Sequence, residues 1–181
     1  MRRAQLPSTD AETVAREVCL RLLKIAPRTR AQLATALRRA GVPQGASEEI
    51  LGRFTDVGLI DDAAFASAWV ESRHHSRGLS RRVLATELRR VGIAHDVVRD
   101  AVGVLDPDKE AETARLLVDR KLAASRGQPA PVRTRRAVAM LARKGYPAAV
   151  VFRVVREALE QEGMSAAETG LDEATEAGCD E

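Results

Sequence analysis

Leu37-Arg38-Arg39-Ala40-Gly41-Val42-Pro43 returns as Leu88-Arg89-Arg90-Val91-Gly92-Ile93-Ala94, and again as Leu141-Ala142-Arg143-Lys144-Gly145-Tyr146-Pro147. The three glycines lie 51 and 53 residues apart. A period near 50 constrains the fold most, because one supersecondary unit must be used three times. Apolar columns flank each glycine: Leu33, Leu84 and Ala137 before it, then Ile50, Ala101 and Val154, and Phe54, Leu105 and Ala158 after it. Further upstream stand Val18, Trp69 and Leu122, and Val14, Phe65 and Val118. Within a unit these positions recur every three or four residues, which is helical spacing. No stretch alternates apolar and polar residues as a strand would.

Each unit therefore reads as three helices, and the fold class as all-α with three tandem three-helix repeats. Helix one is expected at 11–25, 62–75 and 109–125, helix two at 30–40, 81–91 and 134–144, and helix three at 47–57, 95–105 and 148–160. Thr29 and Ser80 are placed to accept bonds from orphan N–H groups at helix starts, and Asp61 or Asp62 to cap the helix carrying Phe65 and Trp69. The glycines fall just past the last turn of helix two. Gly127-Gln128-Pro129-Ala130-Pro131 reads as a loop inside the third unit. The domain organisation is an N-terminal extension at 1–10, repeats at 11–59, 60–106 and 107–160, and an acidic tail at 161–181. A lone unit of this size has a small core, so neighbours are expected to pack end to end.

The charge is unevenly spread. Lys+Arg is 29 and Asp+Glu is 26, a net of +3, but residues 161–181 hold seven acids and no base. The body is therefore +10, with 1–59 at +4, 60–106 at 0 and 107–160 at +6. Such a body implies a polyanion or a partner bearing one. The tail has glycines, alanines and acids without a helical stripe, which predicts disorder.

Paired bases mark helix two in every unit: Arg38 and Arg39, Arg89 and Arg90, and Arg143 and Lys144 at its end, Arg81 and Arg82, and Arg135 and Arg136 at its start. One reading is that terminal cations complement the negative end of the helix dipole and stay solvated. The other is that a basic edge recurs in each repeat and tracks an acidic or phosphate-bearing surface. Cations are poorly placed at a helix start, so the dipole does not explain the second set. These ten residues are the candidate contacts. The five aromatics argue against single-strand stacking, which needs exposed rings. Phe54, Phe65, Trp69 and Phe152 sit in or beside core columns, and only Tyr146 is a surface candidate.

Two cysteines, Cys19 and Cys179, are too few for a disulfide scaffold or a cysteine-built zinc site. Cys19 reads as a small buried hydrophobe, and Cys179 lies in the tail without a basic neighbour. Adjacent His74 and His75 point about 100° apart on a helix and do not form a ligand pair. No HExxH, GxxxxGK[ST] or GxSxG motif occurs. No catalytic residue, cofactor, metal or small-molecule substrate is expected. The N-terminus has charge but no apolar stretch behind it, and no apolar run nears the roughly 20 residues of a membrane span. A cytoplasmic monomer without membrane contact is the expectation.

Gly58-Leu59-Ile60-Asp61-Asp62, then Phe65-Ala66 and Trp69-Val70, resembles the central signature of the RecX family. So does Arg77-Gly78-Leu79-Ser80-Arg81-Arg82, then Leu84, Glu87-Leu88 and Gly92-Ile93. Thr29-Arg30-Ala31-Gln32-Leu33, Leu37 and Gly41-Val42-Pro43 match the preceding segment. The resemblance covers about 11–160 and is looser in the third unit. It implies an elongated, curved helical array, and a regulator of the RecA recombinase rather than an enzyme. Family members lie in the groove of the RecA–DNA filament and inhibit ATP hydrolysis, strand exchange and co-protease activity, in recombination, repair and the SOS response. Beside RecA, single- or double-stranded DNA is a candidate partner. The residues themselves leave two alternatives: a stand-alone DNA-binding regulator of helix-turn-helix type, and a helical-repeat interaction module for another acidic partner.

Overall fold

The computed structural model describes residues 8–163. Among them are nine α-helices and no strand: α1 (Ser8–Ile25), α2 (Arg30–Arg39), α3 (Gln44–Asp56), α4 (Asp62–Arg77), α5 (Arg81–Arg90), α6 (His95–Gly103), α7 (Pro107–Ala123), α8 (Ala130–Arg143) and α9 (Ala148–Gln161). These are the three tandem sets of three that the period requires. Helix α8 starts a turn earlier than its periodicity indicates. Pro131 stands in its first turn, where a missing N–H costs nothing because that group has no helical partner.

The described residues divide into two compact units: 8–71 with 85–102, and 72–84 with 103–163. In the first, α1, α2 and α3 close over Ala15, Cys19, Leu33, Leu37, Val42, Ile50, Leu51, Phe54 and Ile60. Leu33 and Leu37 are wholly buried, each burial stabilising by about 2 kcal/mol. In the second, α7, α8 and α9 close over Val118, Leu122, Leu141, Tyr146, Val154, Val155 and Leu159. The glycine-anchored columns are its frame: Ala137 and Leu141 are as buried here as Leu33 and Leu37 are in the first unit.

The columns of helix one are shifted. Ala15 and Cys19 are buried where Val14 and Val18 are only partly so. Ala66 and Val70 are buried, and Phe65 and Trp69 are half-exposed rather than core. In α7 the expected Val118 and Leu122 are the buried pair. The connections between helices one and two have four, three and six residues, so counting back from the glycine drifts by one position. The Phe65 and Trp69 rings stack on each other at 5.5 Å, and the Trp69 indole N–H donates to Glu87 at 3.0 Å. Leu105 is also only partly covered, because α6 ends at Gly103.

One type of junction occurs in both units. In the first, Thr29 caps α2: its hydroxyl accepts from the Gln32 N–H at 3.1 Å, and the Gln32 side chain accepts from the Thr29 N–H at 3.2 Å. The same hydroxyl donates to the Val91 carbonyl at 2.7 Å, just before Gly92. The Arg30 N–H donates to Asp62 at 2.9 Å, and Asp61 caps α4 through the Ala64 N–H at 2.8 Å. In the second unit the Ser80 N–H donates to the Lys144 carbonyl at 3.0 Å, just before Gly145, and the Arg81 N–H donates to Glu110 at 2.8 Å. Both glycines have positive φ, +86° and +82°. A Cβ on Gly92 would lie 2.3 Å from the Ala31 Cβ, and one on Gly145 2.3 Å from Val83. Gly41 has the same backbone but nothing within 4 Å.

Thr29 is fully buried, so Thr29→Val removes the cap and leaves the Gln32 N–H and the Val91 carbonyl without their partner. A loss of about 2–3 kcal/mol in urea denaturation is expected. Thr29→Ser, which keeps both bonds, is expected to lose less than half of that.

At position 133, where the glycine register places the counterpart of Thr29 and Ser80, α8 carries a buried arginine. The Arg133 guanidinium donates to the Leu122 carbonyl at 3.1 Å and to the Glu162 carboxylate at 2.5 Å. Gln161 therefore ends α9 and Glu162 is an ion-pair partner, although composition alone assigns both to the tail. The expected disorder of the remaining tail, together with Cys179 and most of the N-terminal extension, concerns residues outside those described.

Candidate functional site

The basic residues of helix two do not share one environment. Arg38 and Arg39 end α2 and are exposed, as are Arg89 and Arg90 at the end of α5. These four belong to the first unit. Arg81, Arg82, Arg135, Arg136, Arg143 and Lys144 belong to the second.

Two of those six serve local structure. The Arg81 Nε–H donates to Glu110 at 3.0 Å, and the Glu110 side chain is 11% exposed. An acid from α7 thus neutralises the cation and also accepts the first N–H of α5, which is why a base is tolerated at that helix start. The Lys144 ammonium donates to the carbonyl of Arg77 in the last turn of α4. Burial, and then the Arg77 charge, lower its pKa. Arg135 and Arg136 lie in the second turn of α8, not the first, because the helix begins at Ala130. The dipole argument therefore does not bear on them.

The other arginines keep their guanidinium groups at the surface. Arg38 reaches only its own Thr35, at 3.4 Å, and Arg136 reaches Gln128. The side chains of Arg39, Arg89, Arg90, Arg135 and Arg143 form no hydrogen bond or ion pair with another described residue. Arg82 is exposed.

Tyr146 is buried, not at the surface where its place after a glycine puts it, and its hydroxyl donates to the Gly78 carbonyl at 3.1 Å. Burial and then the Glu110 carboxylate push its pKa well above the usual phenol value. Both ring nitrogens of His74 are engaged, Nδ1 with the Leu79 carbonyl at 2.9 Å and Nε2 with the Thr113 hydroxyl at 3.1 Å. Cys19 is buried, which raises its thiol pKa. Among the described residues, no group of three His, Cys, Asp or Glu side chains could hold a metal. No helix there is long and apolar enough to cross a membrane.

The residue that the repeat columns did not single out is Arg28. It lines a cavity of about 510 Å³ in the first unit together with Arg39 and Arg90. The repeat offered no signal for it, because the glycine register places Leu79 at the same position in the next repeat.

A tandem set of three-helix units, joined glycine against helix start and studded with arginine on helix two, is a class of helical-repeat protein. The comparisons with known proteins place it within that class. Residues 15–54, 61–102 and 108–155 match the first, second and third three-helix domains of RecX. "Regulatory protein RecX" of Thermobifida fusca is 58% identical over 155 residues, covering 86% of this chain and 84% of that protein. Its namesake from Streptomyces coelicolor is 57% identical, covering 87% and 84%. The chain belongs to the RecX family. The crystal structure of RecX from Lactobacillus salivarius superposes with a TM-score of 0.75 at 19% identity, covering 83% of this chain and 97% of that one. A second crystal structure of a regulatory protein RecX gives 0.70 at 24%, covering 87% and 81%. At these identities the two structures speak to the fold alone.

Proposed function

We propose that the protein binds the RecA–DNA filament and restrains RecA: its ATPase, its strand exchange and its co-protease activity. Membership of a family whose relatives are named regulatory proteins carries the reading. The exposed arginines of α2, α5 and α8 are its contact residues, meeting DNA phosphates or acidic patches on neighbouring subunits. A repeat array can contact several subunits of a polymer at once, so modest contacts add through effective concentration. Restraint needs no chemistry, since a spacer tied to adjacent subunits opposes the relative motion that ATP turnover requires. The protein acts in the cytoplasm as a monomer, in recombination, repair and the SOS response.

A helix-turn-helix mode is disfavoured in the middle repeat. Helix α6 carries Asp96 in its first turn, and its Arg99 is held by Asp100 at 3.0 Å, where a recognition helix needs free donors. The test is RecA ATPase on single-stranded DNA with increasing protein. The rate is expected to fall with dose and to recover as salt is raised. An unchanged rate at every ratio would defeat the proposal.

A further inference from the structure

In the first unit, the junction between α2 and the end of α5 forms an open cleft of about 510 Å³. Three arginines line it: Arg28 from the turn before α2, Arg39 from the end of α2 and Arg90 from the end of α5. No aspartate or glutamate does. Gln32 and Thr35 add polar groups, and Leu22, Leu33 and Val91 supply apolar wall. None of the three guanidinium groups is bonded to another described residue. The Nε–H of Arg28 is buried and has no partner. A buried donor left open calls for an acceptor from outside the protein, and two more unneutralised guanidiniums beside it make an anion the acceptor that gains most there.

The same junction in the second unit is arranged differently. Leu79, the counterpart of Arg28, is buried there, the Lys144 ammonium is spent on the Arg77 carbonyl, and the Tyr146 hydroxyl is spent on that of Gly78. Arg90 and Arg143 recur at the positions of Arg39 and Arg90, but the apolar Leu79 replaces Arg28, so the three-arginine cluster belongs to the first junction and is not a consequence of the repeat.

We propose that Arg28, Arg39 and Arg90 form a site for a phosphoryl group. Guanidinium forks match the oxygens of a tetrahedral phosphate, and three of them with Gln32 and Thr35 supply more donors than a planar carboxylate can use. The phosphate comes either from a nucleic-acid backbone or from a free phosphate compound. The site does not rest on the RecA reading, because it is tested on the protein alone.

The test uses full-length protein with labelled arginine side chains, observed by NMR at the Nε–H signals. Inorganic phosphate replaces chloride at constant ionic strength, and acetate is the control anion. A saturable shift of the Arg28 Nε–H with phosphate is expected, with a weaker response to acetate. Arg28→Gln and Arg90→Gln are each expected to weaken phosphate binding at least about tenfold, the loss of one charged hydrogen bond. The charge-matched pair Arg120→Gln and Arg126→Gln, exposed in the second unit, is expected to change it little. Arg90→Gln, at an exposed position, keeps the test decisive if Arg28→Gln loses helix content. Competition by an oligothymidylate assigns the site to nucleic acid, and its absence assigns it to a free phosphate compound. No saturable shift, equal response to acetate, or full affinity in both variants would overturn the proposal.

Discussion

Gly92→Ala is expected to destabilise the first unit by about 3 kcal/mol in urea denaturation, against about 1 kcal/mol for Gly41→Ala. Both residues follow the last turn of a second helix with a left-handed backbone, φ +86° and +79°. The conformational penalty for a Cβ, about 1–2 kcal/mol, is therefore common to the two. What differs is the neighbour. An added Cβ at Gly92 meets the Ala31 Cβ at 2.3 Å, while at Gly41 it meets nothing within 4 Å. Ala31 is the second residue of α2, whose start is held by the Thr29 and Asp62 bonds. It has little room to retreat without breaking them. Combining Ala31→Gly with Gly92→Ala should recover the steric part and leave the backbone part, so the cycle separates the two. Equal losses at Gly41 and Gly92 would mean that the junction is looser than these distances require.

The same comparison explains why the repeat was legible and the junctions were not. Leu33, Leu37, Leu84, Leu88 and Leu141 were readable because helix two runs without interruption into its glycine, so every column keeps its count. Helix one lies across a connection of variable length. A count from the glycine therefore puts Val14 and Phe65 in the core, while Ala15 and Ala66 occupy it. Tyr146 is a surface candidate by sequence only because it follows a glycine turn. Its burial depends on the Gly78 carbonyl, 68 positions away. Glu110 is the clearest case of what one-dimensional reading misses. Nothing in the local sequence distinguishes it from Asp108 or Glu112, yet it is buried as the partner of Arg81, 29 residues before it. Arg133 and Glu162 form a similar pair across 29 positions. The ten basic candidates were found by recurrence, but recurrence cannot tell a solvated arginine from one already committed to a carboxylate or a helix end.

That distinction decides how the contact edge should be tested. Arg81, Arg82 and Lys144 are omitted: removing Arg81 or Lys144 strips a partner from Glu110 or from the end of α4 and confounds contact with folding, and Arg82 is also engaged within the structure. Two sets remain: Arg38, Arg39, Arg89 and Arg90 in the first unit, and Arg135, Arg136 and Arg143 in the second. Replacing either set with alanine is expected to leave helix content unchanged, since all seven side chains are exposed. The second set is expected to have the larger effect, because the segment 107–160 that holds all of it carries +6, while the first set is split between 1–59 at +4 and 60–106 at 0. Its loss should raise the concentration for half-maximal inhibition of the RecA ATPase by about tenfold or more, with the first set somewhat less. If the arginines meet DNA phosphates, each lost contact also flattens the dependence of log affinity on log salt by about 0.9. If they meet acidic side chains of protein subunits, affinity falls without that increment. Both sets folding normally and inhibiting like the unaltered chain would sink the contact edge, and would return these arginines to the role of solvated helix ends.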